Sequence, residues 1–182
     1  MSGAASPAAF QRSWFELLGL PERFALDVDE LAARHHRFQA VVHPDRHVAG
    51  SEHDRRLALQ LAAQGNEAFR VLSEPVSRAA YLCERHGAPI DAERNTAMPP
   101  AFLMKQMSWH EDIDEARDAA DASAATALQA RLEAERAELI GQLGVLIDEQ
   151  ANYPEAVTVV RQLMFFNRLQ STLAEVVRQK AG

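Results

Sequence analysis

The sequence is poor in the residues that build cross-linked or metal-held scaffolds. It has one cysteine, Cys83, which excludes an intramolecular disulfide and any cysteine-built zinc or iron–sulfur site of its own. No apolar run approaches the length of a membrane span. Residues 1–10, MSGAASPAAF, carry neither Lys nor Arg nor a long apolar stretch, so they do not read as a secretory signal. These absences point to a cytoplasmic protein. Basic side chains are in deficit, 19 Lys and Arg against 26 Asp and Glu, for a net charge of −7. The deficit is uneven: residues 1–86 hold ten basic and eleven acidic groups, residues 87–182 nine and fifteen. An acidic C-terminal half argues against broad nucleic-acid binding, which needs cations to displace counterions, and suits a protein partner better. Strand-like alternation and internal repeats are also missing.

What remains is helical. At 182 residues and 47% hydrophobic, the chain has enough apolar material for a core. Residues 1–12 read as a disordered tail, 13–86 as a first helical block and 87–98 as a linker. Residues 99–182 form a second block, with Gly87, Pro89, Pro99 and Pro100 marking the break. In the first block a short helix, 14–18, stops at Gly19-Leu20-Pro21. Over 29–42, a period of about 100° per residue puts Leu31, His35, Phe38 and Val42 on one face and Arg34, Arg37 and Val41 on another. Asp27 or Asp29 is the expected N-cap, and Pro44 ends the helix near Val42 by disfavouring helical backbone at His43. A second helix, 54–73, turns Leu57, Leu61, Gly65, Ala68 and Leu72 to one side. The second block reads as three helices forming a bundle. Its middle helix, 122–150, carries a stripe of Leu128, Leu132, Leu139, Leu143 and Leu146. Its last, opened by Pro154, presents Val159, Phe166, Leu169, Leu173, Val176 and Val177.

Two surfaces stand out. His43-Pro44-Asp45 makes a rigid polar turn between two helices, with an acceptor suited to a partner's Arg or backbone N–H. It lies in a positive island: residues 31–47 contain three Arg and one Asp, and such complementarity steers and orients association. In the helix that begins near Pro100, Phe102, Gln106, Trp109, Ile113, Ala116 and Ala120 share a core-like face. Leu103, Met104 and Met107 continue into Glu111 and Glu115 on the other side. Adaptable methionines on an open face suit partner binding. Phe165, at the edge of the last helix's apolar arc, is expected to be partly exposed.

The remaining polar features have plainer readings. Pro44 separates His43 from His47, so they need not share a face, and Asp45 alone completes no metal site. His35 reads as a packed histidine and Cys83 as a buried small hydrophobe. The acids Glu111, Asp112, Asp114 and Glu115, and the pair Asp118 and Asp121, read as solvated. No pocket, nucleophile or phosphate loop accompanies them, so neither an enzyme activity nor a cofactor or metal is expected.

The order Trp14-Phe15-Glu16-Leu17-Leu18-Gly19-Leu20, basic helix, His43-Pro44-Asp45-Arg46 and Asn66-Glu67-Ala68-Phe69-Arg70-Val71-Leu72-Ser73-Glu74-Pro75 resembles a J-domain, the helical co-chaperone module that stimulates ATP hydrolysis by DnaK-type chaperones. Beyond it, Arg78-Ala79-Ala80-Tyr81-Leu82, His86-Gly87, 101–107 (AFLMKQM) and 161–165 (RQLMF) resemble the J-type co-chaperone of iron–sulfur cluster assembly, the HscB family. This resemblance covers nearly all of the chain after the first dozen residues. It implies an all-α, L-shaped form, a J-domain over 13–86 and a C-terminal three-helix scaffold-binding bundle. It further implies chaperone contact (HscA type) through His43, Pro44, Asp45, Arg34, Arg37 and Arg46. Contact with a cluster scaffold (IscU type) is implied at Leu103, Met104, Met107, Glu111, Glu115 and Phe165. One acidic position of the family's scaffold face is Ser108 here, and the cysteine-rich metal module of eukaryotic relatives is not found. An alternative reading makes the bundle an unfolded-client or dimerisation module of a general J-protein. A metal-dependent hydrolase built on the histidines and acids is a third reading, which elemental analysis separates. A DNA-reading helix pair is disfavoured by the acidic pI and by a long loop where a tight turn is wanted.

Overall fold

In the computed structural model, residues 12–43, 51–90, 98–119 and 123–181 are described, and every regular element among them is helical. The chain divides into two compact units, Met1–Tyr81 and Leu82–Gly182.

The first unit opens with α1, Trp14–Leu18. Five residues make a poor helix alone, so both ends are fixed locally. The Ser13 hydroxyl accepts the Glu16 N–H at 3.1 Å, and the Glu16 carboxylate accepts the Ser13 N–H at 3.0 Å. Gly19 closes the helix at φ 68°, a conformation costly for any side chain with a Cβ. Phe15 and Leu18 are thereby buried, and the Trp14 ring stacks on Tyr81 at 4.1 Å. Helix α2, Val28–Val42, is capped by Asp27, whose carboxylate accepts the N–H groups of Asp29 and Glu30. It ends at Val42 because His43, preceding proline, takes ψ 130°. Helix α3, Glu52–Ser73, starts with a second reciprocal cap between Ser51 and Asp54. It packs on α2, and at Gly65 the helices approach so closely that a Cβ would lie 2.6 Å from the Phe38 ring.

Pro75 begins α4, Pro75–Arg85, directly after Glu74 takes an extended conformation. The first block is thus not two long helices and a short one: a proline step sets α4 apart from α3. The division between units falls inside α4, at Tyr81/Leu82. Ile90 is buried, and its carbonyl accepts from Nε of Arg161 at 2.8 Å and from the same guanidinium's second nitrogen. Just before it, His86 stacks on Tyr153 at 4.1 Å. Residues 1–11, 91–97 and 120–122 of the expected tail, linker and helices lie outside the described residues.

The second unit is built on α5, Pro100–Asp118, α6, Ser123–Gly144, and α7, Tyr153–Ala181. α6 does not run on to residue 150 as an α-helix. It widens into a π-helical turn at Val145–Glu149, which buries Leu146 and Ile147. Ala151, at φ 50°, then reverses the chain, and the Asn152 side chain accepts the Glu155 N–H at the start of α7. The three helices share a core of Phe102, Trp109, Ile113, Leu128, Leu132, Phe166, Leu169 and Leu173. The expected stripes supply it, with Leu139 and Val177 at its margin.

Candidate functional site

The first candidate surface lies on α2. Leu31 and Val42 are buried, and His35 and Phe38 are half-buried on the same side. Arg37 and Val41 are exposed on another face, as the 100° spacing requires. Arg34 is partly buried and donates to Glu30 one turn earlier, at 3.0 and 3.3 Å. A pair this exposed contributes little to stability, so the guanidinium can exchange partners cheaply. His43 is exposed immediately beyond the helix. Pro44, Asp45 and Arg46 lie outside the described residues.

A polar clamp that sequence reasoning missed fixes the register of the helix carrying these groups. The Gln39 amide donates to the Ala62 carbonyl at 3.1 Å and to Asn66 Oδ1 at 2.8 Å. His35 Nε2 lies 3.1 Å from the same oxygen, and its ring stacks on Phe69 at 4.5 Å. The signal available was Gln39 four residues after His35, a polar side chain on the inward flank. His35 is therefore a packed, hydrogen-bonded histidine.

The second surface lies on α5, which has two apolar faces. Phe102, Trp109, Ile113 and Ala116 enter the core. Leu103 is 46% exposed, and Met104 and Met107 are 67% exposed. Glu111 and Glu115, farther along, are exposed and make no ion pair among the described residues. Their neighbours are engaged: Asp112 pairs with Arg131, and Asp114 with Arg117 at 2.8 Å. Phe165 reaches α5 from α7, half-buried, with its ring 5.8 Å from Phe102 and edge-on to the exposed His110 at 6.1 Å. His110 was absent from the sequence-level set, although it stands three residues past Met107. Ser108 is also exposed.

Among the described residues, neither surface brings together a nucleophile and a general base. Cys83 is buried and its Sγ faces the Tyr153 carbonyl at 3.8 Å; burial, aided by the Glu84 charge, pushes the thiol up to about 11. A thiol held protonated is a poor nucleophile. Among the described residues no group of three His, Cys, Asp or Glu could hold a metal ion, and no helix is long and apolar enough to cross a membrane. The first surface presents the exposed Arg37 and His43 beside the Glu30-paired Arg34, and the second presents flexible apolar side chains bordered by carboxylates.

Residues 98–174 match a family model described as the HSCB C-terminal oligomerisation domain. The co-chaperone protein HscB homolog of Bordetella pertussis is 48% identical over 160 residues, covering 88% of this chain and 93% of that protein. Its counterpart in Burkholderia cenocepacia is 43% identical over 167 residues, covering 92% and 95%. Among solved structures, chaperone HscB from Vibrio cholerae superposes with a TM-score of 0.80 at 32% identity, covering 92% of this chain and 99% of that one. Human co-chaperone protein HscB gives 0.84 at 24% identity, covering 94% and 84%, a likeness of fold.

Proposed function

The chain belongs to the HscB co-chaperone family, and from that premise we propose that it is a two-handed adaptor in iron–sulfur cluster assembly. One hand is the J-domain. His43, Pro44 and Asp45, with Arg34, Arg37 and Arg46, engage an HscA-type member of the DnaK class and stimulate its ATPase. The other hand is the α5 surface. Leu103, Met104, Met107, Glu111 and Glu115, with Phe165 from α7, hold an IscU-type cluster scaffold. The hydrolysis belongs to the chaperone; this protein contributes binding and timing. Joining a cargo site and a trigger site in one chain raises the effective concentration of scaffold at the chaperone without strengthening either contact.

The observation that carries the proposal is the exposed Leu103–Met104–Met107 stripe running into Glu111 and Glu115 on a helix whose opposite face already fills the bundle core. The test is Asp45→Asn in the full chain. Scaffold binding, measured by calorimetry, stays at the wild-type value, while stimulation of the chaperone's ATP turnover is lost. Normal stimulation by this variant would falsify the assignment of the trigger.

The description of the matched domain as an oligomerisation domain favours a second reading, in which the α5 stripe closes a homodimer. Sedimentation of the wild type and of Leu103→Asp separates the two: a dimer that the substitution dissociates supports self-association, and a monomer in both supports scaffold binding.

A further inference from the structure

Sulfur is divided unequally between the interior and the surface of this protein. The sulfur-bearing side chains among the described residues are Cys83, Met98, Met104, Met107 and Met164. A cysteine thiolate is ordinarily the first target of a peroxide, and a protonated thiol reacts poorly. Cys83 is fully buried, and burial, followed by the Glu84 charge, pushes its thiol up to about 11. It is therefore both protonated and out of reach. A thioether has no proton to lose, so exposure decides which methionine reacts.

Exposure separates the four methionines clearly. Met98 packs against the bundle core, Met164 is 38% exposed, and Met104 and Met107 are 67% exposed. Met104 and Met107 stand three residues apart on α5, so their side chains are neighbours on one face, with the exposed Leu103 beside them. The two most accessible sulfurs thus sit side by side within the apolar stripe that a bound partner would cover.

We propose that Met104 and Met107 form a paired oxidation site through which a peroxide weakens the hold on the cluster scaffold, an inference that rests on the scaffold assignment of the α5 face. The thioether lone pair attacks one peroxide oxygen. The S–O bond forms as the O–O bond breaks, the sulfur is oxidised by two electrons to the sulfoxide, and the peroxide is reduced to water. The product replaces a soft apolar side chain with a dipolar one that carries a strong acceptor oxygen. On the free protein this oxygen stays in water, so the fold is undisturbed. Under an apolar partner surface it must shed that water, which opposes binding. The change is reversible: a methionine sulfoxide reductase returns the thioether and water while a dithiol is oxidised to a disulfide, one enzyme serving each sulfoxide epimer.

The test treats the full chain alone with hydrogen peroxide, removes the peroxide, and titrates treated and untreated protein against an IscU-type scaffold by calorimetry. Peptide mass spectrometry locates the added oxygen. Met104 and Met107 gain it before Met164 and Met98, and Cys83 remains a free thiol. The doubly oxidised chain binds the scaffold at least about tenfold more weakly, the scale of one buried acceptor left unsatisfied, while its urea unfolding midpoint is that of the untreated protein. Met104→Leu combined with Met107→Leu keeps the apolar volume without the sulfur, and its scaffold affinity is unchanged by the same treatment. Incubating the oxidised wild type with both sulfoxide reductases restores its affinity. Equal binding before and after oxidation of both methionines overturns the inference alone, as does an equal loss in the leucine variant or prior oxidation of Met98 or Cys83. An untreated chain that does not bind the scaffold overturns the scaffold assignment and the inference with it.

Discussion

Replacing Leu103, Met104 and Met107 together by alanine should separate binding from folding, because these side chains stand largely in solvent on the face of α5 opposite the core. Fully burying a leucine or methionine side chain is worth about 1.5–3 kcal/mol. Leu103 is 46% exposed and the two methionines 67% each, so roughly half to two-thirds of that remains to be gained under a partner, about 1–2 kcal/mol per residue. Part of the gain is offset by ordering the flexible methionines on binding. A net loss of about 3 kcal/mol in scaffold affinity follows for the triple variant, a Kd more than a hundredfold weaker. Folding stability should move by less than about 1 kcal/mol, because the removed atoms are mostly in water already and alanine is the better helix former. Trp109, 3% exposed on the other face of the same helix, is the contrast: its truncation should cost about 3–5 kcal/mol of stability. Calorimetric titration against the scaffold and urea unfolding of each variant read the two quantities. If the triple variant unfolds as readily as a core truncation and binds the scaffold as tightly as the wild type, the assignment of faces on α5 is wrong.

Further outcomes follow from the same reasoning. Gly65→Ala gains up to about 1 kcal/mol of helix propensity but forces a Cβ to within 2.6 Å of Phe38 and 3.3 Å of the Gln39 amide, where overpacking costs about 1–3 kcal/mol. Equilibrium unfolding should show a net loss near 1 kcal/mol, and a stabilised variant contradicts the close approach of α2 and α3. Cys83 holds its proton more tightly folded than unfolded, with its pKa raised from 9.0 to about 11 by burial and then by the Glu84 charge. The folded state therefore binds more protons between these values, and the thiol's contribution is intact below about pH 9 and lost as pH rises toward 11. The stability difference between wild type and Cys83→Ala should shift against the wild type across that window; a constant difference shows that the thiol is not buried.

The parts of the fold that were legible in the sequence are those set by local chemistry. Pro44 stops α2 at Val42, Asp27 caps it, and Pro154 stands in the first turn of α7. The two-sidedness of α5 was legible for the same reason: a 100° step sorts Phe102 from Leu103 wherever the helix is placed. The features that were missed depend on residues far apart in the chain. Arg161 holding the Ile90 carbonyl spans 71 positions. The Gln39–Asn66 clamp spans 27. The π-turn after Gly144 has no residue that announces it. At the candidate sites, Phe165 was correctly placed at the edge of an apolar arc, but its neighbour His110 was not, since only the packing of α7 on α5 makes them meet.

The double face of α5 also sets what kind of change the protein can absorb. Substituting one exposed residue for another alters contact chemistry and leaves the geometry in place. Inserting or deleting a single residue between Phe102 and Trp109 would instead swing one end of the helix by about a third of a turn, carrying an anchoring ring into water or a methionine into the bundle. Over that stretch, the count of residues is more tightly constrained than their identity.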